Sequence, residues 1–169
     1  MESASVPTDE ALRQLAEEVA TRMRERRLML VTAESCTGGF IAKVLTDLPG
    51  SSAWFDAGVV TYSYEAKEAL LGVNPRTLER TGAVSEETVL EMVSGALARF
   101  GAGAAVAVTG IAGPSGGTVD KPVGTVWIGW KLRGGYAHAR VFHFAGDRDA
   151  IRRQTVAAAL SGLGKELTA

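Results

Sequence analysis

The run Thr32-Ala33-Glu34-Ser35-Cys36-Thr37-Gly38-Gly39 brings a hydroxyl, a thiol, a carboxylate and two adjacent glycines together in one short stretch. A serine hydroxyl attacks a carbonyl only when a base takes its proton and donors wait for the oxyanion that forms. Two further polar groups have the same character. One is Thr61-Tyr62-Ser63 with Lys67 just beyond, and the other runs from Thr109 to Gly117 and contains glycines 110, 113, 116 and 117. Lys67 is the candidate base, because a desolvated lysine acts unprotonated. Tyr62 stands close enough in the chain to relay the proton or to orient that lysine.

Each of these residues also has a bland reading. Ser35 at a strand-to-helix junction is a good helix cap, Lys67 a solvated cation, and Tyr62 a half-buried packing residue. Loops use glycine for positive φ whether or not a phosphate is near. Cys36 is a rival nucleophile, but its thiolate needs a positioned histidine. His138 and His143 share one predicted strand at odd spacing, which puts them on opposite faces and gives them no common site. Spacing alone leaves these alternatives open.

The elements that would position the residues follow from periodicity. Leu12, Leu15, Ala16, Val19 and Met23 mark an amphipathic helix that opens near Thr8-Asp9 and runs to Arg26. Leu28 to Thr32 reads as a buried strand, and Phe40, Ile41, Val44, Leu45 and Leu48 as a helix. Ser35 therefore sits in the turn between a strand and a helix N-terminus, where free amides favour an anion. Trp54 to Tyr62 reads as a second strand, Tyr64 to Leu71 as a short helix carrying Lys67, and Ser85 as the cap of a long helix with Glu86 and Glu87 in its first turn. Ala104 to Val108 is a small-residue strand. Val123 to Lys131 and Ala137 to Phe144 form a hairpin about Arg133-Gly134-Gly135, and Asp147 opens a last helix. This alternation predicts a three-layer α/β/α sandwich with a mixed, mostly parallel sheet. If the strands before the three polar clusters are parallel neighbours, all three clusters meet at the carboxyl edge, where open α/β sheets bind ligands.

Composition bounds the rest. A chain of 169 residues with 46% hydrophobic residues fits one domain over 1–169, with Met1 to Pro7 expected to be flexible. Eighteen Lys and Arg against 19 Asp and Glu argue against a nucleic-acid binder. One cysteine allows no internal disulfide, and with two histidines it argues against a structural zinc site. The N-terminus has no signal-peptide pattern and no apolar run reaches the ~20 residues a bilayer needs, so a soluble cytoplasmic protein without a membrane partner is expected. Neither the phosphate loop ending in Gly-Lys-Ser/Thr nor the dinucleotide fingerprint occurs, which leaves ATP and NAD without support.

The run from Thr32 to Gly39 resembles the signature of the competence/damage-inducible protein A C-terminal domain family, a domain that also occurs alone as nicotinamide-mononucleotide amidase. Gly50-Ser51-Ser52-Ala53-Trp54-Phe55, Val60-Thr61-Tyr62-Ser63, Ala66-Lys67, Gly82-Ala83-Val84-Ser85-Glu86, Val108 to Pro114, Lys121 to Val126 and Gly146-Asp147-Arg148 continue the likeness in order, from about Leu12 to Leu163. The resemblance implies hydrolysis of the carboxamide of nicotinamide mononucleotide to nicotinate mononucleotide and ammonia, with no metal and no cofactor. It implies Ser35 as nucleophile, Lys67 as base and Tyr62 as an assisting hydroxyl. Thr109, with Gly110 beside it, would position the amide, and Arg148 would be a substrate-binding cation. The amides from Cys36 through Thr37, Gly38 and Gly39 would hold the oxyanion. Arg148 and the Gly113–Gly117 loop are the candidates for the 5′-phosphate. A homo-oligomer, dimer or higher, is implied too, and Trp54, Phe55 and the long apolar helices are the candidate contacts. The alternatives are a pyridine-nucleotide-binding regulatory domain without turnover and a DNA-linked interaction module, which the near-neutral charge disfavours.

Overall fold

The computed structural model describes residues 5–169. Of the N-terminal stretch expected to be flexible, residues 1–4 lie outside the described residues. At its other end the Pro7 carbonyl accepts a bond from Arg153 Nη1.

Helix α1 (Asp9–Arg26) begins where Thr8 Oγ1 accepts the Ala11 amide and buries Leu12, Ala16, Val19, Ala20 and Met23 on one stripe. Strand β1 (Leu30–Glu34) follows, then α2 (Phe40–Thr46), a 3-10 turn (Ser51–Ala53) and β2 (Phe55–Val60). Helices α3 (Tyr64–Leu71), α4 (Pro75–Thr81) and α5 (Glu86–Phe100) come next. Strands β3 (Ala104–Gly110), β4 (Thr125–Leu132) and β5 (His138–His143) precede the closing helix α6 (Arg148–Thr168).

The five strands lie in the order β2-β1-β3-β4-β5. β1 is parallel to both β2 and β3, β4 is antiparallel to β3, and β5 is antiparallel to β4, so four strands point one way and β4 opposes them. Alternation along the strands builds two cores. Leu30, Ala104, Val106, Val108, Val126 and Ile128 face α1, α2 and α6. Val31, Ala33, Ala105 and Ala107 face the residues Leu71, Leu78, Val89, Met92 and Val93 of α3, α4 and α5. The result is the three-layer α/β/α sandwich with a mixed sheet.

Strand ends shift by one or two residues from the sequence reading, and three differences bear on the site or the packing. β1 starts later than Leu28 and runs through Glu34, because Glu34 pairs with Val60 and Val108 and its carboxylate is satisfied in the interior. Trp54 lies outside β2 and is fully buried, so it cannot contact another copy of the chain. Phe55 packs edge-on against it at 6.4 Å between ring centroids. Helix α4 is absent from the sequence reading. Its signal is the pair Asn74-Pro75, where Asn74 Oδ1 accepts the Arg76 amide and proline occupies the first turn.

Candidate functional site

Since β2, β1 and β3 are adjacent and parallel, their carboxyl ends carry Thr61-Tyr62, Ser35 and Thr109 to a common edge. The period of two decides which way each side chain points. Continuing from Val31 and Ala33, Ser35 points toward the α3–α5 layer, whereas Glu34 points toward α2. On the α3 side stands Lys67, one turn past the Ser63 cap of α3.

Lys67 is fully buried. Its Nζ donates to the Thr61 carbonyl at 2.6 Å and reaches the Tyr62 carbonyl at 3.4 Å and Ser35 Oγ at 3.0 Å. Burial pushes its pKa down from 10.5 to about 8, because the apolar surroundings penalise the ammonium form. When the amine is neutral, the two carbonyls hold its two N–H groups and its lone pair is left facing the serine, whose O–H then donates. Ser35 itself is buried, with 8% of its surface exposed.

The turn that carries Ser35 is held from both ends. The Ser35 amide donates to the Val108 carbonyl at 3.1 Å, and the Gly38 amide closes back onto the Ser35 carbonyl at 3.1 Å. Between them the amides of Cys36 and Thr37 find no acceptor among the described residues, and they are the donors this turn offers to a ligand. Gly38 and Gly39 follow at φ 60° and 99°, which a side chain would strain, and they swing the chain into α2. The Glu34 carboxylate accepts Thr37 Oγ1 at 2.5 Å and the Ile41 and Ala42 amides at 2.9 and 3.0 Å, so it caps α2 from inside the protein. Burial raises its pKa above the ordinary 4.5, and hydrogen bonds from Thr37 and from the Ile41, Ala42 and Gly39 amides work against that rise. The Thr37 side chain is thus committed to Glu34, leaving its amide as the part that can meet a substrate.

The remaining predicted residues divide. Thr109 is buried at the end of β3 and donates to the Ala83 carbonyl at 2.8 Å, tying the site to the loop before α5. Gly110 lies where a Cβ would come within 2.7 Å of Val126 Cγ2, so the adjoining strand fits only against a bare Cα. Arg148 donates to the Gly113 carbonyl at 2.7 Å and to the Tyr62 hydroxyl at 3.1 Å, drawing the glycine loop and Tyr62 together. The hydroxyl of Tyr62 therefore meets Arg148 rather than Lys67, and it is the Tyr62 backbone that touches the lysine. The ring is 62% exposed. A side chain beyond the strand end is free to turn away from the buried lysine toward solvent.

Cys36 lies buried, and desolvation with the charge of Glu34 pushes its thiol up to about 12, which keeps it protonated at neutral pH. The two histidines lie on β5, at the far edge of the sheet, where His138 stacks on Trp130 and meets Glu166 at 3.0 Å. Among the described residues no three His, Cys, Asp or Glu side chains gather in a way that would hold a metal ion. No helix is long and apolar enough to cross a membrane. Sequence reasoning passed over Glu34 as a structural acid and Arg152 as a neighbour of Thr37. The recurrence of Arg148 and Arg152 four residues apart on α6 is the signal that could have found the second.

Fold and site together define a three-layer α/β protein with a buried lysine on a serine at the carboxyl edge of its parallel strands. The chain belongs to the CinA C-terminal domain family, whose model matches residues 12–167. It is 52% identical over 159 residues to the nicotinamide-nucleotide amidohydrolase PncC of Escherichia coli strain K12, covering 94% of this chain and 96% of that protein. A CinA-like protein of Geobacter sulfurreducens is 52% identical over 149 residues, spanning 88% of this chain but 36% of that one. The crystal structure of competence/damage inducible protein CihA from Agrobacterium tumefaciens superposes with a TM-score of 0.91 at 46% identity, covering 98% of this chain and 99% of that one.

Proposed function

We propose that this chain is an amidohydrolase that converts nicotinamide mononucleotide to nicotinate mononucleotide and ammonia, with Ser35 as nucleophile and Lys67 as its base. The observation that carries the reading is the 3.0 Å contact between Lys67 Nζ and Ser35 Oγ, made by an amine whose pKa burial lowers to about 8. Kinship to proteins named nicotinamide-nucleotide amidohydrolase supports the choice of substrate.

In this mechanism the Ser35 proton passes to the neutral Lys67 amine as Oγ bonds to the carboxamide carbon. The carbonyl oxygen, now negative, accepts the Cys36 and Thr37 amides. Collapse of the tetrahedral adduct breaks the C–N bond, and the departing nitrogen takes the proton from Lys67 to leave as ammonia. An ester of Ser35 remains. Water then gives a proton to Lys67 as it attacks the ester carbonyl, and that proton returns to Ser35 Oγ as the acid departs. Arg148, with the nearby glycine loop, offers the positive charge and donors that a 5′-phosphate needs.

The test is ammonia release from nicotinamide mononucleotide, nicotinamide riboside and nicotinamide. The wild type is expected to prefer the phosphorylated substrate, and folded Ser35→Ala and Lys67→Met variants to lose at least about 10³-fold in kcat. Wild-type rates in either variant would falsify this mechanism. Tight binding without ammonia release by the wild type would instead identify a binding domain.

A further inference from the structure

Arg152 has no role in the mechanism above, yet it lies against the turn that carries Ser35. It sits one helical turn after Arg148 on α6, and its Nη2 donates to the Thr37 carbonyl at 3.0 Å. The same nitrogen is 3.4 Å from where a Cβ on Gly38 would be, so the guanidinium is packed against the Thr37–Gly38 peptide. Its neighbour Arg153 is matched by Asp9 at 2.6 Å and Asp149 at 2.9 Å, but no carboxylate pairs with Arg152 among the described residues. Its Nε is buried and has no partner among them either. Arg152 as a whole is only partly buried, but a buried donor left without a partner is unfavourable for folding, and such a group in a native structure calls for a reason.

The peptide it grips supplies that reason. The Thr37 carbonyl accepts Arg152 Nη2 and the Phe40 amide, while the N–H of the same peptide unit, that of Gly38, closes the turn onto the Ser35 carbonyl. Holding this plane from its oxygen side fixes the turn in which the Cys36 and Thr37 amides are free. We propose that Arg152 is a positioning residue, which holds the Ser35–Gly38 turn through the Thr37 carbonyl so that the Cys36 and Thr37 amides face the reacting carbonyl oxygen. The proposal rests on the amidase reading for its substrate, but not for the geometry it assigns.

The experiment compares wild type with Arg152→Met and Arg152→Lys. Ammonia release from nicotinamide mononucleotide is one readout, and the rate at which a fluorophosphonate probe phosphonylates Ser35 is the other. The probe's phosphoryl oxygen needs the same amides but no nucleotide. Arg152→Met is expected to lower kcat and the labelling rate by about 10- to 100-fold with KM within about threefold, since a small misplacement of reacting groups has effects of this size. Arg152→Lys, which keeps the charge and stem, recovers part of both and serves alone if the methionine variant does not fold. A raised KM with kcat and labelling unchanged would overturn the proposal, making Arg152 a substrate-binding cation. So would unchanged behaviour of Arg152→Lys and Arg152→Met alike. A wild type that labels at Ser35 in an Arg152-dependent way but releases no ammonia overturns the substrate reading and supports this one. A wild type that does neither overturns both.

Discussion

Gly95 of α5 lies under the last residue of α3 so closely that a Cβ on it would stand 1.8 Å from the Leu71 carbonyl oxygen. The carbonyl belongs to the helix that carries Lys67, so this bare Cα sets how deep the lysine sits over Ser35. Replacing it must push α3 outward, because backbone rather than a flexible side chain is in the way. Gly95→Ala is expected to lose about 1–3 kcal/mol of stability by overpacking, measured by urea unfolding. Its kcat should fall by more than its KM changes. An alanine variant with wild-type kcat would show that the depth of α3 does not matter to the reaction.

The pH dependence of the reaction follows from Lys67. Its folded pKa of about 8 lies below the ordinary 10.5, so the active neutral form accumulates as pH rises through about 8. The ratio kcat/KM should fall roughly tenfold per pH unit below that point and level off above it. Stability moves in the same direction. Between about 8 and 10.5 the unfolded chain holds the Lys67 proton and the folded one does not, so stability rises with pH across that window and the penalty is complete below it. Relative to Lys67→Met, the wild type should gain stability on the order of 3 kcal/mol from pH 7.5 to pH 10 and above. A difference that does not vary with pH counts against a depressed Lys67.

Cys36 lends its amide to the proposed oxyanion site, but its thiol takes no part in the proposed mechanism. With its thiol pushed up to about 12 and its side chain buried, the native protein should resist iodoacetamide at pH 8, whereas the urea-unfolded chain alkylates fully. Cys36→Ala should retain kcat within about threefold. Rapid alkylation of the native thiol with parallel loss of ammonia release would return Cys36 to contention.

Tyr62 separates two roles that its place in the chain cannot. Its hydroxyl accepts from Arg148 at 3.1 Å, while only its carbonyl touches Lys67. Tyr62→Phe should therefore raise KM by about 3- to 10-fold, the loss of one partly exposed charge-assisted hydrogen bond, and leave kcat within about twofold. A collapse of kcat at constant KM would make the hydroxyl a proton relay after all.

Local interactions explain why much of this was legible beforehand. The caps Thr8, Ser63, Ser85 and Asp147 each accept an amide of the helix that follows, and helical spacing marks the buried stripes of α1 and α5. A cap and a period of 3.6 act over a few residues, so they are written in the chain itself. A mostly parallel sheet was also expected, and the meeting of the Ser35, Lys67 and Thr109 clusters at one edge followed on the condition that their strands were neighbours, which the strand order satisfies. Asn74-Pro75 was an equally local signal, but the short α4 has too little apolar period to draw attention to it.

Tertiary structure decided the matters that depend on what each side chain meets across the fold. Trp54 is an interior residue because the core shared by α1, α2 and α6 closes over it, although aromatic character fits an interface equally well. Whether Lys67 is a surface cation or a buried amine is set by how α3 sits on α5, and that determines its pKa. The partner of the Tyr62 hydroxyl comes from α6, 86 positions later. Arg152 reaches the Ser35 turn from 115 positions away, a contact that no local pattern encodes. Ser35 could thus be singled out from its own neighbourhood in the sequence. Lys67, the turn and the Arg152 guanidinium are brought together around it only when distant elements pack, because desolvation and hydrogen-bond partners are properties of the folded interior.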